Sequence, residues 1–198
     1  MGTVEVLHWL FEEGEKEKEQ DNFEEARRRF EKILDMTRES DWVRKAHAAL
    51  AEVFSAEEEF FWAMNHIEQA LKIKSNCTHY HYLKGKIHYE RDEFEAAASE
   101  ALKAAEDDLL SAQYYQLLGK ATYRCDSYET ARRFLEWAVQ CAPEEAEPRL
   151  ELARLEVEEG NFRAALSVLK EALEETGEND KIREKIRIIQ ENWRITGS

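Results

Sequence analysis

The chain has 198 residues, 43% of them hydrophobic and 36% charged, with 43 acidic against 28 basic side chains and a net charge of −15. That balance excludes general nucleic-acid binding and adsorption to an anionic membrane surface, both of which need a basic face, and no apolar run is long enough to insert directly across a bilayer. Cys77, Cys125 and Cys141 fit no disulfide framework and no signal peptide is evident, which predicts a reducing, cytoplasmic setting.

Taken in order, the residues predict five helical hairpins and a closing helix. The first hairpin spans about 7–40, with Gly14 in its first helix and Phe23 and Ala26 opening its second. Three additional residues near Glu39-Ser40-Asp41 predict a longer turn there, with Asp41 as the N-cap of the next helix. The second hairpin, 41–77, repeats the arrangement with Ala51, Phe60 and Ala63. The third, 78–111, has Gly85, Phe94 and Ala97, and the fourth, 112–145, has Gly119, Tyr128 and Ala131. The fifth, 146–178, has Ala153, Phe162 and Ala165. From Ala26 to Ala165 the small residues recur at steps of 37, 34, 34 and 34, the period of stacked helix-turn-helix units.

The fifth unit displays the pattern plainly. Leu150, Leu152, Ala153, Leu155 and Val157 supply one apolar helix, Gly160-Asn161 breaks it, and Phe162, Ala165, Leu166, Leu169 and Leu173 form the stripe of a second. Small residues are needed because two helix backbones cannot approach across large side chains. Gly119 and Ala131 are expected to face each other, with Tyr128 wedged beside them. Residues 179–198 predict a capping helix and tail, since Ile182, Ile186, Ile189 and Trp193 fall four, three and four residues apart. Ile188 and Ile195 lie off that stripe and have two readings, packing under the previous helix or a homodimer contact. The helix is also basic, with Lys181, Arg183, Lys185, Arg187 and Arg194.

The combination in the fourth unit of Tyr115, Leu118, Gly119, Tyr128, Ala131, Leu135, Ala138 and Pro143 resembles the tetratricopeptide repeat, and the resemblance runs from about Leu7 to Gly177. The chain departs from the family where Glu13 and Lys84 replace Leu and where Ala101 replaces a large apolar residue. The resemblance implies an all-α, right-handed superhelical solenoid that acts as a protein–protein interaction scaffold or adaptor, without catalysis or cofactor. It implies a concave groove lined by the first helix of each pair. The inward slots then hold His79, Tyr82, Lys86 and Tyr89, next Gln113, Gln116, Lys120, Tyr123 and Arg124, and then Leu150 and Arg154.

Lys86, Lys120 and Arg154 would form a cationic line flanked by tyrosines, suited to a peptide or protein segment with acidic and apolar residues. The competing reading pairs these cations with Glu90, Glu147, Glu151 and Glu158. Toward the amino terminus the matching slots, Phe11, Glu12, Glu15, Lys18, Glu19, Ala48, Ala49 and Glu52, are acidic and small. The two-carboxylate clamp of chaperone-binding members has no counterpart, since its slots read Phe11 and Glu15, Ala49, and His79 and Leu83, and shifting the register does not restore it.

Other chemistry is thinly represented. Cys77, His79, His81 and His88 are the one metal-like cluster, but no paired ligand spacing supports it, so no metal is expected. Glu57-Glu58-Glu59 reads as a solvated acidic run, and Trp9, Trp42, Trp62, Trp137 and Trp193 read as core and inter-repeat packing. No phosphate loop or nucleophile motif is present. The alternatives to groove binding are a structural, self-associating module that uses the convex face or the carboxy-terminal helix, and a designed repeat with no natural ligand. The irregular repeats and three cysteines count against design.

Overall fold

Apolar stripes at three- and four-residue steps, interrupted every 13 to 17 residues by short polar turns, leave the backbone few options besides paired helices. The computed structural model describes residues 2–125, 127–177 and 179–196, and the side chain of Ile195 lies outside the described set, as do Gly197 and Ser198. Among the described residues there are eleven helices and no strand. They form two compact units, residues 1–93 and 94–198.

The first unit contains α1 (Thr3–Glu19), α2 (Phe23–Met36), α3 (Ser40–Ala56), α4 (Phe60–Ile73) and α5 (Thr78–Glu90). Helices α1 and α2 pack as one pair and α3 and α4 as the next, while α1, α3 and α5 lie side by side. Leu7, Leu10, Phe30, Ile33, Leu50, Val53, Ile67 and Ile87 fill the core between them. The close approach of α1 to α2 depends on Gly14, where a Cβ would lie 2.6 Å from the Phe30 ring.

Tight turns repeat at the ends of the first helices. Asp21, Glu58 and Asp92 all adopt left-handed backbone, with φ of 59°, 60° and 57°. In each case the next amide reaches back five residues, from Asn22 to Glu17, Glu59 to Phe54 and Glu93 to His88, at 2.8–2.9 Å. This is the Schellman closure of a helix. Asp41 is not the N-cap that its residue type suggests. Helix α3 begins earlier, with Glu39 in the capping position. The Glu39 amide donates to Thr37 Oγ1 at 3.0 Å, and the Asp41 carboxylate serves Arg44 instead.

The second unit contains α6 (Phe94–Asp107), α7 (Ala112–Arg124), α8 (Tyr128–Cys141), α9 (Ala146–Glu158), α10 (Phe162–Thr176) and α11 (Asp180–Thr196). Gly119 meets α8 as expected, a Cβ there falling 3.2 Å from the Ala131 carbonyl and 2.8 Å from Leu135. Gly160 takes the same left-handed turn position with φ of 78°. Asn179 caps α11, its Oδ1 accepting the Ile182 amide at 3.2 Å. Ile182 and Ile189 are buried, and Ile186 and Trp193 pack beside them against Leu150, Ala165, Leu166 and Leu169.

Candidate functional site

The residue at the centre of the first unit's first-helix face is Glu52 on α3. Lys18 on α1 donates to it, and so does His79 on α5 at 3.2 Å. Burial alone would raise the Glu52 carboxyl, but hydrogen bonds from His79 and Lys18 outweigh it and hold the group at about 2. Burial works against the Lys18 ammonium, yet Glu15 at 2.7 Å and Glu52 raise it above its ordinary value. The same face has a small cavity of about 180 Å³ lined by Phe11, Glu15, Lys45, Ala48, Ala49, Glu52, His79 and Tyr80. The floor of this face is thus small, and its Glu15 and Glu52 are already partnered by Lys18 and His79.

Of the remaining predicted residues in this unit, Tyr82 and Tyr89 are half-buried and Lys86 is exposed. The Lys86 ammonium stands 5.9 Å from the Tyr82 ring centroid, a cation–π distance. The histidines of the metal-like cluster separate: His81 donates to the Ser75 carbonyl at 2.8 Å and His88 pairs with Glu93 at 2.6 Å. Among the described residues no group of three or more His, Cys, Asp or Glu is placed to hold a metal ion.

In the second unit Gln113 and Arg124 are exposed, and Gln116, Lys120, Tyr123 and Arg154 are half-buried. Lys120 lies 3.3 Å from Glu151 on the neighbouring helix. Arg154 reaches the same carboxylate at 3.0 Å and Glu158 at 2.6 Å. Burial raises the Glu151 carboxyl, and Lys120 and Arg154 more than reverse that. The cations of this face are therefore paired with carboxylates of α9, Lys120 from α7 and Arg154 from α9 itself. Burial, with Glu158 and Glu159 close by, pushes the Tyr123 hydroxyl up to about 12. Arg124 stacks 4.1 Å from the Phe94 ring centroid. Leu150 is buried within the core beside Ala153 and Ala165, where it holds α9 in place.

One polar cluster escaped sequence reasoning. Glu156 on α9 is 1% exposed and fully engaged. Tyr128 donates to it at 2.9 Å, Arg132 at 2.7 Å and Asn161 at 3.0 Å. The signal was available, since Tyr128 stands where the other repeats have Phe23, Phe60, Phe94 and Phe162, and a buried hydroxyl needs a partner. Above this cluster opens a cavity of about 570 Å³, bounded also by Arg163 and Trp193. The tryptophans also depart from expectation. Trp42 is buried, but Trp9, Trp62 and Trp137 are 45%, 51% and 44% exposed.

No protein-family model matches the chain. Over 77 residues, 39% of the chain, it is 32% identical to the TPR repeat-containing protein MJ1428 of Methanocaldococcus jannaschii, and it spans 13% of that protein's length. Among solved structures, Pseudomonas aeruginosa PilF superposes with a TM-score of 0.78 at 21% identity, covering 99% of this chain and 92% of that one. TTC0263, a TPR protein of Thermus thermophilus, gives 0.76 at 15% identity, covering 93% and 98%. MamA of Desulfovibrio magneticus RS-1 gives 0.73 at 17% identity, covering 88% and 97%. The fold is the tetratricopeptide-repeat solenoid. Among the described residues no helix is long and apolar enough to cross a membrane.

Proposed function

Because the chain folds as a tetratricopeptide-repeat protein, we propose that it is a non-catalytic protein-interaction module, a scaffold or adaptor that holds a segment of a protein partner on the faces made by its first helices. In the second unit this face comprises Gln113, Gln116, Lys120, Tyr123, Arg124 and Arg154. In the first unit it comprises His79, Tyr82, Lys86 and Tyr89. The observation that carries the reading is chemical. In a chain of net charge −15, Lys86, Lys120 and Arg154 occupy equivalent positions of α5, α7 and α9, and Lys86 and Lys120 each lie within one helical turn of a tyrosine.

The partner is a segment with acidic and apolar residues. Its carboxylates exchange with Glu151 and Glu158 for Lys120 and Arg154, while its apolar side chains lie on Tyr123. Exchange of one carboxylate for another keeps the cations paired throughout, so binding avoids stranding a half-buried charge. We place it in a cytoplasmic, reducing setting on the spacing of its three cysteines, which fits no disulfide framework.

The test is affinity capture from a native lysate with the wild-type chain beside a Lys86→Glu, Lys120→Glu, Arg154→Glu variant whose helicity is checked by circular dichroism. A partner bound by the wild type and lost by the folded variant supports the reading. A partner retained equally by both overturns it.

A second reading, self-association through α11, is favoured by the 39% exposure of Ile188 on a helix that also displays Lys185 and Arg187. Light scattering over a range of concentrations distinguishes it, and a concentration-independent monomer removes it.

A further inference from the structure

A repeat protein supplies its own internal comparison, and one position breaks the pattern. The residues that follow the conserved aromatic at the start of each second helix are Glu24-Glu25, Phe61-Trp62, Glu95-Ala96, Glu129-Thr130 and Arg163-Ala164. Four pairs are charged, polar or small, as an exposed first turn requires. The second pair is two large aromatics, and neither is covered: Phe61 is 72% exposed and Trp62 51%. Their rings meet edge to face at 5.2 Å, and Trp62 also packs against Phe54 at 6.4 Å, which fixes the pair as a rigid platform.

The turn leading into that platform is also exceptional. Its sequence is Glu57-Glu58-Glu59, where the first and third turns have Gln20-Asp21-Asn22 and Arg91-Asp92-Glu93. Glu57 is already matched by Arg27 at 3.3 Å, and Arg27 also covers Phe54. Glu58 and Glu59 are exposed and have no ion pair among the described residues. Glu58 additionally occupies the left-handed position, which Asp or Gly fills in the other described turns. A residue kept at a backbone position that disfavours it points to a role outside folding.

Cations stand on other tryptophans of the molecule, whether exposed, as Trp9, or less so, as Trp42 and Trp193. Arg29 stacks 4.9 Å from the Trp9 ring centroid, Lys45 5.1 Å from Trp42, and Arg163 5.6 Å from Trp193. Among the described residues no cation covers Trp62. We infer that Phe61 and Trp62, with Glu58 and Glu59 beside them, form a second docking site that binds an arginine- or lysine-bearing segment of a partner protein. A cationic side chain of that segment stacks on Trp62 and pairs with Glu58 or Glu59, and a neighbouring apolar side chain covers Phe61. This site lies on α4 and its preceding turn, apart from the first-helix faces, and it selects the opposite charge. A module with both would join an acidic segment to a basic one.

The probe is a fluorescein-labelled peptide of alternating Arg and Leu, with a Glu and Leu counterpart, titrated by anisotropy into the full chain at low salt. The main variant is Phe61→Glu with Trp62→Ala, which installs the pair that the third repeat already carries as Glu95-Ala96. It adds negative charge, so diffuse attraction alone would tighten binding of the basic peptide. The expected result is binding about tenfold weaker. Glu58→Gln with Glu59→Gln is expected to weaken binding severalfold and to flatten its salt dependence. Equal or tighter binding by the aromatic variant overturns the proposal, as does equal binding of the acidic peptide. Unchanged binding by the glutamine variant overturns the basic specificity. A wild-type dimer that the aromatic variant abolishes, and that the peptide does not compete away, would assign the platform to a second copy of the chain instead.

Discussion

The Tyr128 hydroxyl donates to the Glu156 carboxylate at 2.9 Å, tying α8 to α9 through a buried acid. Arg132 and Asn161 complete the shell, so the carboxylate has three donors, two from α8 and one from the turn before α10. Removing one donor by Tyr128→Phe is expected to cost about 1 kcal/mol in urea denaturation, the usual scale for a hydrogen bond to a buried group. Glu156→Ala removes the hub and is expected to cost about 2–3 kcal/mol. Two variants with wild-type midpoints would show that the cluster adds nothing to the stacking of these helices.

Gly119 is the position where adding one methyl group should hurt most clearly. Helix propensity alone predicts that Gly→Ala stabilises by about 1 kcal/mol. Against that, the new Cβ would stand 3.2 Å from the Ala131 carbonyl, which cannot move aside as a side chain can, and 2.8 Å from Leu135. Overpacking of this kind costs about 1–3 kcal/mol, so Gly119→Ala is expected to lower the melting temperature. A raised melting temperature would mean that α7 and α8 separate freely.

These contacts mark what could be read from sequence. Gly14, Gly119 and the recurring alanines announced the helix pairs, because close packing of two backbones leaves a periodic mark of small residues. The stripe of Ile182, Ile186, Ile189 and Trp193 announced α11 for the same reason. Ion pairing left no such mark. The sequence leaves two readings for Lys120 and Arg154, a line open to a partner or cations paired with neighbouring acids, and the structure puts Glu151 within reach of both. Exposure was equally hidden: Trp9, Trp62 and Trp137 are apolar and read as core and inter-repeat packing, while their actual exposure depends on how each helix is rotated. Leu150 failed in the other direction, as a slot assigned to the groove that the core took.

The paired rings of His47 and His66 predict an acid-sensitive first unit. Their Nδ1 atoms are 2.9 Å apart, so one ring donates and the other must accept, and both are neutral. Burial lowers His47, and burial with the nearby His47 lowers His66 to about 4. Both folded values lie below the ordinary one, so the unfolded chain binds more protons in the interval between them. The stabilisation is complete above about pH 6.5 and is lost as pH falls toward 4. After allowance for solvent screening the loss should be about 1–2 kcal/mol between pH 7.5 and 5. Urea titrations at the two pH values should show it for the wild type and much less for His66→Asn. An equal loss in both proteins would place the acid sensitivity elsewhere.

The left-handed turns allow a test that separates folding from binding at a single residue. Asp21, Asp92 and Gly160 are types that tolerate positive φ, whereas Glu58 at φ 60° has its Cβ crowding and, among the described residues, no side-chain hydrogen bond to compensate. Glu58→Asn should therefore stabilise the chain by about 0.5–1 kcal/mol. The control is Glu57→Asn, at an ordinary φ of −81°, where no relief is available and the ion pair with Arg27 is lost. If the carboxylate of Glu58 serves a basic partner, the Glu58→Asn protein will be more stable in urea and will bind the Arg and Leu peptide less tightly. A variant that gains stability without losing peptide affinity would leave Glu59 as the acidic contact beside Trp62. One that gains none would show that the turn carries no strain at Glu58.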